Sequence, residues 1–88
     1  MNKRELLTSR EQECLKLSAF GFSNIEIGKF LYISENTVKK NLGETFKKLK
    51  AKDRANAITI SFFNGILNPE ILTETLTKYD LSWEYERN

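Results

Sequence analysis

Helix-start chemistry recurs along this chain at Thr8, Ser23, Ser34, Asp53 and Asn68, and this recurrence constrains the fold more than any other feature. Side-chain oxygens of these residue types accept from backbone N–H groups that the first turn of a helix leaves unpaired. In "TSRE" and "SNIE" a glutamate follows three residues later, completing the capping-box pattern at Thr8/Glu11 and Ser23/Glu26. In "NPE" a proline takes the first helical position, where its missing N–H costs nothing. Starts this closely spaced predict an all-α chain built from short helices.

The apolar spacing between the starts agrees. A first helix over about 8–20 carries Cys14, Leu15, Leu17 and Ala19, with Arg10, Glu13 and Lys16 on its polar side, and Gly21 ends it. A second opens after Ser23, repeats Ile27, Phe30 and Leu31 at three and four, and ends near Leu31 or Tyr32. Ile33 is then expected as a buried turn residue. A third, about 35–50, has one narrow apolar stripe of Val38, Leu42, Phe46 (or Thr45) and Leu49. On a helical wheel Asn36, Lys40, Gly43, Glu44 and Lys47 fall opposite that stripe. Gly43 therefore faces outward, although glycine costs a helix interior about 1 kcal/mol.

A fourth helix runs from the Asp53 cap to about Asn64. Its apolar residues Ala57, Ile58, Ile60, Phe62 and Phe63 are spread widely around the axis, which requires a second burial surface. Either the C-terminal segment or a second copy of the chain supplies it. Gly65 breaks this helix, and Leu72, Leu76 and Tyr79 mark a fifth over about 69–79. The tail "DLSWEYERN" is acidic and aromatic. For Trp83 and Tyr85, packing against the first or fourth helix stands beside a role as a partner-binding patch.

Charge separates the two halves. Residues 1–54 hold twelve Lys/Arg against seven Asp/Glu, and residues 55–88 hold two against five. The basic excess lies in 36–54, where seven basic residues meet only Glu44 and Asp53. A one-sided basic block suits a polyanion, although a solvated helix face gives the same pattern. Eighty-eight residues suffice for one small domain. No apolar run is long enough to span a membrane, and "MNKRELLTSREQE" lacks the apolar stretch of a secretory signal. The single Cys14, expected as a small buried apolar residue, points to a reducing cytoplasm. With no histidine, no glycine-rich phosphate loop and no paired cysteine ligands, no catalytic residue, metal or cofactor is expected.

A helix, a turn of about three residues and a second, basic, outward-facing helix make the layout of a helix-turn-helix. Lysines supply phosphate contacts and can donate to guanine, and Asn36 and Asn41 carry amides that can pair with adenine. Beyond that layout, "LTSREQECLKLSAFGFSNIEIGKFLYISENTVKKNL…KKLKAKDRANAI" resembles the LuxR/GerE-type DNA-binding domain over about Leu7 to Phe62. The resemblance implies a four-helix domain over 1–64, followed by a short helical extension over 65–88 on which the family is silent. Thr8, Arg10, Glu11 and Glu13 then belong to the scaffold helix. It also implies a sequence-specific, homodimeric bacterial transcription regulator that binds double-stranded DNA, with the third helix in the major groove.

Carried onto this sequence, the DNA-facing set is Ser23, Asn24, Ser34, Asn36, Thr37, Lys39, Lys40, Asn41, Gly43, Lys47 and Lys48. The dimer set is Ala57, Ile60, Ser61, Phe63 and Asn64, with the extension as a second candidate surface. This sequence departs from the family at four places. Asn41 stands where histidine is frequent, and Gly28 where alanine is usual. "KAKD" replaces a turn that commonly holds glycine, and Gly43 lacks a long side chain found in some relatives. Arg54 has two readings, a pair with Glu11 or Glu13 and a plain surface role. A receiver or ligand-binding segment ahead of the motif is not expected, and control is expected from expression level, a regulatory protein partner or the extension. Two rival readings remain: a sigma region-4-like module, and an interaction protein that heterodimerises with a regulator without binding DNA.

Overall fold

A computed structural model describes residues 6–81, and among these the elements are five helices: α1 (Ser9–Ala19), α2 (Asn24–Leu31), α3 (Glu35–Leu49), α4 (Arg54–Phe63) and α5 (Pro69–Lys78). Each begins directly after one of the five cap residues. The Thr8 and Ser23 hydroxyls accept from the N–H of Glu11 and Glu26, and both glutamates return the bond, closing two full capping boxes. Ser34, Asp53 and Asn68 cap α3, α4 and α5 through the N–H groups of Thr37, Asn56 and Ile71. Gly21 and Gly65 take the left-handed conformation, at φ 91° and 74°, where the chain leaves α1 and α4.

Two apolar clusters hold the helices together, and α1 contributes to both. Leu7, Leu15, Leu49, Ala57, Ile66 and Leu67 join α1 to the end of α3, to α4 and to the α4–α5 connection. Cys14, Leu17, Ile27, Val38, Leu42 and Leu81 join α1 to α2, to the first half of α3 and to the chain beyond α5. Phe46, half-buried, packs on both clusters. The fully buried member of the α3 stripe at that level is Thr45, whose hydroxyl donates to Asn41 O at 2.8 Å and so enters the core with its polar atom satisfied. Ile33 is half-buried, not buried, and leans on the second cluster. Cys14 is fully buried, and its thiol is pushed up to about 11 by that burial. Among the described residues no helix is long and apolar enough to cross a membrane.

The segment after Gly65 is built into these clusters. Ile66 and Leu67 lie under α4 beside Ala57, while Leu76, Tyr79 and Leu81 close over α1 and α2. The Tyr79 hydroxyl donates to Glu13 on α1, Lys78 pairs with the same carboxylate at 3.2 Å, and the Tyr79 ring meets Phe30 of α2 edge-on at 5.7 Å. Burial and the Glu13 carboxylate both push the Tyr79 phenol up. Burial works to raise Glu13 as well, but the bonds from Tyr79 and Lys78 outweigh it, and the carboxyl sits below its ordinary value. Both Trp83 and Tyr85 lie outside the described residues.

The connection to α4 holds a residue in the backbone region that glycine adopts most easily. Lys50 closes α3 at φ 56°, and the Ala51 N–H reaches back to Phe46 O at 2.9 Å in a Schellman arrangement. A lysine in the left-handed region costs about 1 kcal/mol relative to glycine. Lys50→Gly is expected to raise the thermal midpoint by roughly 5 °C, read by circular dichroism, because 1 kcal/mol is worth about that in a domain of this size.

Candidate nucleic-acid interface

The surface in question is the turn between α2 and α3 and the outer face of α3. Tyr32, Ile33 and Ser34 make the connection. The N–H groups of Tyr32 and Ile33 both return to Gly28 O, the second at 3.0 Å. A Cβ added to Gly28 would stand 2.6 Å from Ile33 O, so glycine lets this turn close against α2. Arg10 of α1 secures the turn from outside by donating to Leu31 O at 3.2 Å. The Ser34 cap shares a 2.9 Å hydroxyl contact with Thr37 and fixes the first turn of α3. The N–H groups of Glu35 and Asn36 precede the capped one and point out of the helix end.

Along α3, burial follows the wheel. Val38, Leu42, Thr45 and Leu49 are buried, while Asn36, Thr37, Lys39, Lys40 and Lys47 are exposed. Lys47 contacts Glu44 only at 3.5 Å and keeps most of its side chain in solvent. Exposed pairs of that kind contribute little. A Cβ at Gly43 would meet nothing within 4 Å, so no contact among the described residues requires glycine there. Ser23 is exposed at the start of α2, on its own capping box.

Lys48, Asn41 and Asn24 of the expected DNA-facing set are half-buried and tied into the fold. Lys48 is not on the open face: its ammonium sits 2.7 Å from the buried Glu11 carboxylate, tying the end of α3 to the cap of α1. Burial raises Glu11, but the Lys48 and Thr8 hydrogen bonds more than offset it and hold the carboxyl below its ordinary value. Asn41 is half-buried and donates to Thr37 O at 2.9 Å, one turn back along its own helix. Asn24 is half-buried with its side-chain oxygen taken by Arg54.

Arg54 itself pairs with neither Glu11 nor Glu13. It reaches from the first position of α4 to Phe22 O at 3.1 Å and to Asn24, clamping the start of α2. No periodicity links residues 24 and 54, so sequence reasoning had no access to this role.

The expected dimer residues divide in the same way. Ala57 and Ser61 have no exposure at all and face the interior of this chain, and Ile60 is half-buried against the first cluster. The resemblance implies all five as a dimer face, while the spread of apolar residues around α4 leaves either the C-terminal segment or a second copy to cover it. The connection through Ile66 and Leu67 covers that side, with Leu67 N–H donating to Ser61 O at 3.1 Å. What α4 exposes is Ala55, Thr59, Phe62 and Phe63, a single face at helical spacing, with Asn64 at its end. Phe63 is 88% exposed and Phe62 44%.

A basic helix presented outward behind a braced three-residue turn defines this molecule as a helix-turn-helix protein. The model of the luxR family of bacterial regulatory proteins matches residues 5–61, and the chain belongs to that family. It is thereby a DNA-binding domain of the kind used in transcription regulation. The chain is 45% identical over 60 residues to the transcriptional regulatory protein DegU of Brevibacillus brevis, covering 68% of this chain and 25% of the relative. It is 50% identical over 54 residues to the CsgBAC operon transcriptional regulatory protein of Escherichia coli, covering 61% and 25%. With the transcriptional activator protein VanR of Vibrio anguillarum, identity is 42% over 66 residues, covering 75% and 28%. The chain thus spans about a quarter of the length of these relatives. No solved structure matches it with significance.

Proposed function

We propose that the chain is a sequence-specific transcription regulator of the bacterial cytoplasm that binds duplex DNA as a homodimer, with α3 in the major groove. The observation that carries this reading is the two-sidedness of α3. One side is fully committed to the core, and the other offers Asn36, Thr37, Lys39, Lys40 and Lys47 to solvent around an open Gly43. Lys39 and Lys40 contact phosphates, Asn36 and Thr37 stand nearest the base edges, and Gly43 lets the helix backbone approach the groove. Lys48, Asn41 and Asn24 act indirectly, by holding α3 and α2 in place. The second copy docks on Phe62, Phe63 and Asn64 at the end of α4, setting two recognition helices on a site with two-fold symmetry. Residues 65–88 form an extension, and within its described part Lys78 and Tyr79 brace α1 through Glu13.

The test is a binding titration on duplex DNA at several salt concentrations. The logarithm of the affinity is expected to fall steeply and linearly with the logarithm of salt, with a slope near −0.9 for each phosphate neutralised. A protein whose partner is another regulator would bind duplex DNA weakly and show no such slope.

A further inference from the structure

Tyr32 is the most exposed large apolar residue among those described, 95% accessible, and it also holds a left-handed backbone at φ 58°. The first contributes no burial energy, and the second is a cost in the isolated protein. An aromatic ring left in water gains nothing from folding, and a bulky side chain in this backbone region carries a steric penalty that glycine escapes. The turn cannot relax to remove either. Arg10 holds the carbonyl before Tyr32, Gly28 O accepts the N–H groups of Tyr32 and Ile33, and Ile33 O is wedged against Gly28. Strained conformations persist where the surroundings over-determine them, and they concentrate where a side chain must be presented.

We propose that Tyr32 is a DNA-contacting residue. It stands two positions before the Ser34 cap, so its ring emerges beside the first turn of α3 and lies over the strand flanking the groove. Its hydroxyl donates to a phosphate oxygen. This rests on the reading that α3 enters the major groove, and it adds a contact of a different kind. A neutral hydroxyl displaces no counterion, so it strengthens binding without steepening the salt dependence. The rigid turn means that little freedom is lost when the contact forms.

The experiment uses the full chain and a mixed-sequence duplex DNA, titrated at several salt concentrations with wild type, Tyr32→Phe, Tyr32→Gly and, as a control, Lys40→Ala. Tyr32→Phe is expected to weaken binding about tenfold with an unchanged salt slope. Tyr32→Gly is expected to weaken binding at least as much while raising the thermal midpoint by roughly 5 °C. Lys40→Ala flattens the slope by about one. If Lys40→Ala weakens binding and both Tyr32 variants bind as wild type, the tyrosine contact is refuted and the groove assignment stands. If Tyr32→Gly lowers the midpoint together with binding, the ring is structural and the proposal is overturned. If Lys40→Ala also binds as wild type, the groove assignment itself fails.

Discussion

Phe63→Glu is expected to convert the protein to a monomer in sedimentation and to weaken binding to a two-fold-symmetric DNA site by about a hundredfold or more. The magnitude follows from linkage of the two half-sites, since a second recognition helix tethered through the dimer binds at high effective concentration. Phe63 suits the test because it is 88% exposed. Its replacement disturbs no internal packing, and the thermal midpoint should stay close to that of wild type. Ile60→Glu would place a charge against the first apolar cluster and unfold the monomer, so it cannot separate assembly from stability. Dimers that survive Phe63→Glu would move the interface off the end of α4.

Lys39→Ala and Lys40→Ala are each expected to flatten the salt dependence by about one unit and to weaken binding about tenfold near 0.1 M salt. Together they should reduce affinity by about a hundredfold, with little effect on folding, since both side chains are exposed and no ion pair joins them to the described residues. Lys48→Ala separates the two roles of lysine on this helix. It breaks the 2.7 Å pair with the buried Glu11 and should register in thermal stability before it registers in the salt slope.

The contrast between Lys47 and Lys48 shows where the sequence was legible. Capping is local chemistry, decided within four residues, and all five helix starts were therefore readable from Thr8, Ser23, Ser34, Asp53 and Asn68. The apolar stripe of α3 was readable for the same reason, apart from the exchange of Phe46 for Thr45. That choice turned on whether a buried hydroxyl could find a partner, which Asn41 O provides. Where the answer depended on distant chain, periodicity was silent. Lys48 meets Glu11 across 37 residues and Arg54 meets Asn24 across 30, and neither pairing leaves a local trace. Which of the two coverings of α4 applies to Ala57 was not readable, because Ile66 and Leu67, which cover it, belong to a connection with no repeat to read. The presentation of Tyr32 leaves no mark in the sequence, because a left-handed backbone at a tyrosine cannot be inferred from its neighbours.

The central claim is that the outer face of α3 meets duplex DNA, and backbone amide chemical shifts followed during a DNA titration test it most directly. Perturbations are expected at Ser34 to Lys40, at Gly43 and Lys47, and at Ser23, while α5 and the Glu13–Tyr79 contact behind α1 stay unchanged. Perturbations confined to α5 or to Phe62 and Phe63, with Asn36, Lys40 and Gly43 unmoved, would contradict it.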